Sequence, residues 1–220
     1  MASDKDFSEL IEKFSTSAKL AQECGFDGVE ISLLGMDQHK AQSLNKVIKD
    51  FNLEVTCSDG LSISADITSS DNSIVSKGID HLKWGIETSS LLGANNLAGV
   101  VYAPWGVFDP KNKAVRTERS AEALSKLDKI LIKHNISLGI EAINRFETDL
   151  INTANEAILL AEASKSKNIG VLLDTFHLNI EEKVIFEELE LGEIYNVERV
   201  FKKYKFDDIL PYNNKIQFKD

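Results

Sequence analysis

Short apolar runs rich in β-branched residues alternate with amphipathic segments along most of the 220-residue chain. In those segments, apolar side chains recur every three or four residues, which predicts helices. The predicted helices span 5–24, 38–51, 73–92, 116–134 and 154–164, and the predicted strands span 28–34, 53–58, 95–103, 136–142 and 168–175. The alternation limits the fold more than any other feature, because it favours an α/β architecture built on a parallel sheet.

The predicted strands are apolar at nearly every position, which is typical of strands buried on both faces of a parallel sheet. A chain of this kind can form a (β/α) barrel or a doubly wound sheet. A dinucleotide-binding sheet lacks its main signal here, because no G-x-G-x-x-G motif follows a strand. The phosphate-binding P-loop motif is also absent from the sequence.

The charge and cysteine content argue against several classes of protein. A formal net charge of -10 at pH 7 is the opposite of the basic patch that nucleic acid or an anionic membrane requires. The two cysteines form no C-x-x-C pair, so neither a zinc site nor a thiol redox site is indicated. The first residues contain no apolar signal core, and no segment approaches the ~18 apolar residues of a membrane span. The sequence therefore predicts a cytoplasmic protein.

Two of the apolar runs end in a carboxylate. Glu141 lies near the end of the fourth predicted strand, in LGIEAINRFETDLINT, and Asp174 near the end of the fifth, in VLLDTFHLNIEE. The carboxyl ends of parallel strands meet at one edge of a sheet, so these two side chains are expected to converge. Converging carboxylates repel each other unless one holds a proton or a cation lies between them. Mg²⁺ and Mn²⁺ prefer such oxygens, whereas a helix cap or a loop ion pair is the structural alternative for either residue alone.

His177 lies three residues beyond Asp174 and is the histidine best placed to join these carboxylates. An imidazole is an acceptable ligand for Mn²⁺, and a hydrogen-bonded structural histidine is the alternative. His39, His81 and His134 fall on predicted helices or at their edges and are expected to be solvated.

The segments GIEAINRFETDLINTANEA and GVLLDTFHLNIEE resemble the signature segments of the ketose 3-epimerases. These are the D-tagatose/D-psicose 3-epimerase group within the xylose-isomerase-like TIM barrels. The segments GFDGVEIS, TCSDGLS and LLGANNLAGVVYAPWG fit the same pattern in the same order, so the resemblance covers roughly residues 17–182. It implies a xylose-isomerase-like TIM (β/α) barrel and a metal-dependent ketohexose 3-epimerase that acts through a cis-enediolate.

The resemblance also implies roles for individual residues. Enzymes of this group hold a divalent cation, Mn²⁺ foremost or else Co²⁺ or Mg²⁺, with Glu, Asp, His and Glu ligands. Glu141 and Asp174 match the first two ligands, and Glu141 also matches a catalytic acid/base. The substrate-binding positions match Glu147, His177, Trp105 and Cys57. The implied partner is a small-molecule ketose sugar, and a homo-oligomer is a further expectation because members of the group form dimers or tetramers.

The resemblance weakens after Glu182. No histidine follows His177, so the third and fourth metal ligands of the group have no counterpart, and neither does its first strand. An incomplete barrel over residues 1–182, with about five or six of eight strands, and a divergent segment over 183–220 are therefore expected. A chain truncated at both ends leaves two alternatives, a non-catalytic sugar- or protein-binding relative and a non-functional fragment. A barrel nuclease is a weaker interpretation, because its metal site needs several histidines.

Overall fold

The strands of the structure follow one another across a single sheet in chain order. The structure, a computed structural model, describes residues 4–182, so the segment 183–220 lies outside the described residues. The strands of the described residues are β1 (Gly28–Ser32), β2 (Glu54–Leu61), β3 (Asn96–Pro104), β4 (Ser137–Ala142) and β5 (Ile169–Leu173). All neighbouring pairs are parallel, which confirms the predicted α/β class and the five predicted strands.

Helices occupy the segments between the strands. They are α1 (Asp4–Glu23), α2 (Gln38–Asp50), α3 (Asn72–Leu92), α4 (Lys113–Ser125), α5 (Asp128–His134), α6 (Ala154–Ala163) and α7 (Thr175–Glu181). Two short 3₁₀ turns, Ile63–Ala65 and Pro110–Asn112, lie in the loops after β2 and β3. Among the described helices, none combines the length and the apolar character needed to cross a membrane.

The sequence predicts caps at two helices, with Ser70 or Asp71 before 73–92 and Gly93 after it, and with Thr153 and Glu156 at capping-box spacing before 154–164. Asp71 caps α3 by accepting a hydrogen bond from the backbone N–H of Ser73, and Gly93 ends the helix in the left-handed conformation at φ 84°. Thr153 and Glu156 form a capping box at the start of α6. These caps fix where the chain leaves each helix and therefore where the next strand begins.

The single helix predicted over 116–134 is wrong, because the chain forms α4 and α5 with a break between them. Leu124, Leu127 and Leu131 keep continuous helical spacing and are fully buried, which is why the sequence predicts one helix. At the break, the backbone N–H groups of Lys126 and Leu127 bond to carbonyls three residues earlier, at Ala123 and Leu124. These tighter bonds end α4 while the leucine stripe stays on the core.

The two faces of β4 differ in burial, and this difference positions the candidate site. Leu138, Ile140 and Ala142 are fully buried, whereas the alternate residues, among them Gly139 and Glu141, are only partly buried. The polar end of the strand therefore emerges on the less covered face, at the carboxyl edge of the sheet.

Gly99 allows β2 and β3 to approach closely. Its φ is 129°, and a Cβ built on it would lie 2.3 Å from the backbone oxygen of Asp59. Gly99→Ala is expected to lower the free energy of unfolding by about 3 kcal/mol or more, because the two strands must separate to admit the methyl group.

Gly106→Ala is the matched control, since the φ of Gly106 is 73° and no atom lies within 4 Å of a Cβ built on it. The control should lose only about 1–2 kcal/mol in urea denaturation. Equal losses would contradict this account of Gly99.

Candidate metal and sugar site

Three potential ligands converge at the carboxyl edge of β4 and β5. Glu141 lies near the end of β4, Asp174 directly follows β5, and His177 lies in the first turns of α7. One ligand atom from each of the three lies within 4.8 Å of the others. The predicted convergence of Glu141 and Asp174 follows from the pairing of β4 with β5, in which Glu141 is level with Leu172.

The Glu141 carboxylate is electrostatically unfavourable in this position. Burial, followed by the negative charges of Asp174, Glu30 and Glu147, raises the pKa of Glu141 to about 7. Asp174 is itself partly fixed, because its Oδ1 accepts a hydrogen bond 2.8 Å long from the backbone N–H of Phe176. A hard divalent cation bound between half-buried carboxylates removes their mutual repulsion, and carboxylate oxygens are ligands that such a cation prefers. The donor set therefore fits such an ion.

Glu141 is expected to make the metal-free protein less stable as pH rises. Its folded-state pKa of about 7 exceeds the ordinary value of 4.5, so the folded state holds the proton more tightly. The stability is therefore complete below about pH 4.5 and falls until the pH passes 7. After a discount for partial exposure, Glu141→Gln should raise the free energy of unfolding by about 1–2 kcal/mol at pH 8 and by almost nothing at pH 4.5.

Urea denaturation in excess EDTA measures this effect. Glu122→Gln is the control, because Glu122 is exposed and pairs with the exposed Lys126. If the free energies of unfolding of the wild type and Glu141→Gln differed by the same amount at pH 4.5 and pH 8, the electrostatic account of Glu141 would be contradicted.

The loop after β4 joins the remaining sugar-binding candidates through Asn144. The Asn144 side chain donates to Oε1 of Glu147 at 2.6 Å and lies 2.9 Å from Nδ1 of His177. Both Asn144 and His177 are at least nine-tenths buried. The structure thus brings His177 and Glu147 together beside the carboxylates, and it adds Asn144, to which the sequence analysis gives no role.

Trp105 joins the same network from the loop after β3. Its Nε1 donates to Oε2 of Glu147 at 2.9 Å, and the backbone N–H of Gly106 donates to the backbone oxygen of Glu147, also at 2.9 Å. The Trp105 side chain nevertheless stays 60% exposed. An indole held at one edge and open on its face is well suited to contact a sugar ring.

Arg145 and Glu181 clamp the same loop to α7. The Glu181 carboxylate, only 6% exposed, accepts bonds from the backbone N–H, Nε and Nη2 of Arg145. Burial raises the pKa of Glu181, but the bonds from Arg145 outweigh burial and leave the pKa lowered. The clamp holds the loop that carries Glu147 against the helix that carries His177.

Asp149 joins the loop after β4 to α4 through a buried ion pair and to the loop after β3 through a backbone hydrogen bond. Nη1 of Arg116 lies 2.8 Å from Oδ1 of Asp149, and their side chains are only 6% and 13% exposed. The other oxygen of Asp149 accepts the backbone N–H of Asp109 at 2.6 Å. Sequence spacing gives no sign of this pairing, because Arg116 and Asp149 are 33 positions apart.

Cys57 lies apart from this network of side chains. It is 1% exposed, and its neighbour in register is the buried Leu97 of β3. Burial, offset in part by a hydrogen bond with Ser89 of α3, raises the pKa of the Cys57 thiol to about 11. A neutral thiol beneath a helix is part of the core of the molecule. The contact between Cys57 and substrate stays a prediction.

His81 is not simply solvated, which corrects the expectation from its helical position. Its Nε2 lies 2.9 Å from Oδ2 of Asp59, and the two side chains are 33% and 9% exposed. The close contact with the Asp59 carboxylate raises the pKa of His81, and burial opposes this rise. The pairing arises because the end of β2 turns Asp59 toward α3, which the sequence pattern does not indicate.

The chain is similar in sequence to several named ketose epimerases. The chain is 32% identical over 162 residues to an L-ribulose 3-epimerase of Methylomonas sp., and the match covers 74% of this chain and 57% of that protein. It is 35% identical to an L-ribulose 3-epimerase of Mesorhizobium japonicum, with 73% and 54% covered. A ketose 3-epimerase of Arthrobacter globiformis is 29% identical, with 79% and 60% covered. The chain thus spans somewhat more than half the length of these relatives.

Solved structures show the same architecture. A D-allulose 3-epimerase from Methylomonas sp. in complex with D-allulose superposes with a TM-score of 0.77 at 27% identity, covering 84% of this chain and 64% of that one. A D-psicose 3-epimerase with D-tagatose from Clostridium cellulolyticum H10 gives a TM-score of 0.76 at 26% identity, with 83% and 65% covered. The model of the xylose isomerase-like TIM barrel family matches residues 18–208, beyond the predicted limit at Glu182. The chain therefore belongs to the xylose isomerase-like TIM barrel family.

Proposed function

We propose that this protein is a divalent-cation-dependent ketose 3-epimerase. The observation that carries the proposal is the convergence of Glu141 and Asp174, with the pKa of Glu141 raised to about 7. Strongly perturbed carboxyl groups at the carboxyl edge of a (β/α) fold are typical of catalytic sites. The names of the relatives, L-ribulose 3-epimerase and ketose 3-epimerase, supply the substrate class.

Glu141 and Asp174 would hold the cation, with Mn²⁺ the first choice and Co²⁺ or Mg²⁺ the alternatives. A bound divalent ion would polarise the carbonyl of the ketose and acidify the adjacent C3–H bond. Glu141 acts as the general base that removes the C3 proton, because its carboxylate lies among the ligand atoms beside which the sugar would bind. Asp174 balances the charge of the cation without taking part in proton transfer.

Glu147, His177 and Trp105 position the sugar beside these carboxylates. Glu147 is held by Asn144 and Trp105, so its carboxylate has little freedom to turn away from a ligand. Such fixed polar groups orient a polyol, and the exposed face of Trp105 can cover its C–H groups.

Proton exchange and inversion make different demands on the site. Removal and return of the C3 proton on one face needs one base, and Glu141 can perform both steps. Inversion of C3 also needs an acid on the opposite face of the sugar. Exchange at C3 is therefore the minimal activity that the described residues support.

Incubation of the purified chain with L-ribulose or D-psicose, followed by chromatography of the sugars, tests the proposal. With Mn²⁺ we expect the corresponding C3 epimer to form, and EDTA should stop its formation. Turnover that EDTA leaves unchanged would overturn cation dependence. A sugar-dependent rise in melting temperature without any product would favour a non-catalytic sugar-binding relative instead.

A further inference from the structure

The two nitrogens of the His177 imidazole have different surroundings. Nδ1 lies 3.2 Å from the backbone nitrogen of Asn144 and 2.9 Å from the side-chain nitrogen of the same residue. Nε2 lies 4.0 Å from Oδ2 of Asp174, on the side of the carboxylates. Nδ1 also lies 3.9 Å from Oε1 of Glu147, which is beyond hydrogen-bonding distance. Within that distance Nδ1 faces two N–H groups, whereas Nε2 faces the carboxylates of the site.

The orientation of the Asn144 amide is fixed by its other contacts. Its Oδ1 accepts the backbone N–H of Phe146 at 2.9 Å, and its Nδ2 donates to Oε1 of Glu147 at 2.6 Å. A reversed amide would set its oxygen against the Glu147 carboxylate and its NH₂ against the N–H of Phe146. Both contacts would be repulsive, so the NH₂ group must point toward His177 and Glu147.

We propose that Asn144 is a positioning residue that keeps the proton of the neutral His177 imidazole on Nε2. A nitrogen that receives N–H groups must be an acceptor, and the backbone N–H of Asn144 cannot reverse its direction. Because neutral imidazole has one donor and one acceptor, the proton then lies on Nε2. Exposures of 2% for Asn144 and 8% for His177 leave little room for water to replace these contacts.

This tautomer decides what His177 can do at the site. A protonated Nε2 has no free lone pair and cannot bind a metal ion, so His177 is excluded from the ligand set despite its distance. It instead presents an N–H donor among carboxylates that only accept. A sugar oxygen is the acceptor that fits this donor, and this part of the inference rests on the proposed function.

Long-range ¹H–¹⁵N correlation spectra of histidine-labelled protein measure the tautomer directly. The sample is the chain in excess EDTA at about pH 8, and the spectra themselves distinguish neutral from doubly protonated imidazole. A His177→Gln sample assigns the signals. We expect Nδ1 of His177 to be unprotonated and Nε2 to carry the proton. A proton on Nδ1 in the wild-type chain would overturn the proposal without any variant.

Asn144→Asp is expected to change the tautomer of His177, because the substitution replaces the NH₂ donor with an acceptor. We expect the proton to appear on Nδ1 of His177 in this variant, because a charged carboxylate at the shorter contact of 2.9 Å outweighs the backbone N–H that remains at 3.2 Å. Asn152→Asp is the matched control in the same loop, since the Asn152 side chain donates to the backbone oxygens of Ile143 and Thr148 and, within residues 4–182, to no other group. The control should change stability but leave the proton on Nε2. An unprotonated Nδ1 in Asn144→Asp would contradict the assigned role of Asn144.

A kinetic measurement separates this inference from the proposed function. If the wild type epimerises a ketose, Asn144→Asp should lower kcat/KM by about 10²-fold or more while Mn²⁺ still binds, because the donor to the sugar is lost. Unchanged kcat/KM in a variant with a switched tautomer would refute the donor role. Absence of turnover in the wild type would defeat the proposed function alone, since the spectra need no activity.

Discussion

Replacing Glu141 with glutamine is expected to lower the rate of C3 proton exchange by at least about 10³-fold. The change removes the base and one of the two carboxylates proposed to hold the cation, while it keeps the size of the side chain. The variant should fold, because Glu141 carries a raised pKa and its charge destabilises the metal-free protein. Loss of rate together with unchanged or higher stability is the expected combination.

Glu122→Gln is the control for this loss, since Glu122 lies on an exposed face of α4 and pairs with the exposed Lys126. Its rate should equal that of the wild type. Rates are measured at saturating Mn²⁺ so that weakened metal binding is overcome. A Glu141→Gln rate within about tenfold of the wild type would show that another group removes the proton.

Asp149→Asn is expected to lower the free energy of unfolding by about 3–5 kcal/mol. The variant leaves the guanidinium of Arg116 buried without its counter-charge, and the side chain of Arg116 is only 6% exposed. Nη2 of Arg116 has no hydrogen-bond partner among the described residues, and Nε reaches Oγ1 of Thr68 only at 3.5 Å, so the remaining contacts compensate little for the lost charge. The loss should appear as a fall in melting temperature of roughly 10 °C.

The effect of Asp149→Asn should reach the site as well, because Asp149 lies in the loop that carries Glu147 and joins it to two other segments. One is α4, through Arg116, and the other is the loop that carries Trp105, through the backbone N–H of Asp109. Breaking the exposed Glu122–Lys126 pair by Glu122→Gln should cost less than about 0.5 kcal/mol. Equal stability of the two variants in urea denaturation would contradict the importance of burial for the Arg116–Asp149 pair.

Much of the fold can be predicted from local sequence. The five strands follow from apolar runs, and the caps at Asp71, Gly93 and Thr153 follow from residue types with known conformational preferences. The meeting of Glu141 with Asp174 also follows, because strands adjacent in an α/β chain tend to be adjacent in the sheet. These predictions succeed where a short segment determines its own conformation.

The rest depends on contacts between distant segments. The break between α4 and α5 leaves the leucine spacing unchanged, so no periodicity shows it. Asn144 reaches His177 across 33 positions, and the pairing of Asp59 with His81 depends on how β2 ends against α3. An asparagine between an apolar strand and a glutamate does not indicate a contact with a distant histidine. The contact between Asn144 and His177 forms because the loop after β4 packs against α7.

Solvent isotope exchange at C3 shows directly whether Glu141 acts as a base toward a ketose. The chain is incubated with a ketose in D₂O with Mn²⁺ or with EDTA, and deuterium at C3 of the sugar is followed by NMR. The account predicts that deuterium enters C3 with Mn²⁺, that it does not with EDTA, and that Glu141→Gln abolishes the uptake. Exchange needs only one base, so it would be seen even if no epimer accumulates. Bound Mn²⁺ and bound sugar without deuterium at C3 would contradict the assignment of Glu141 as the base.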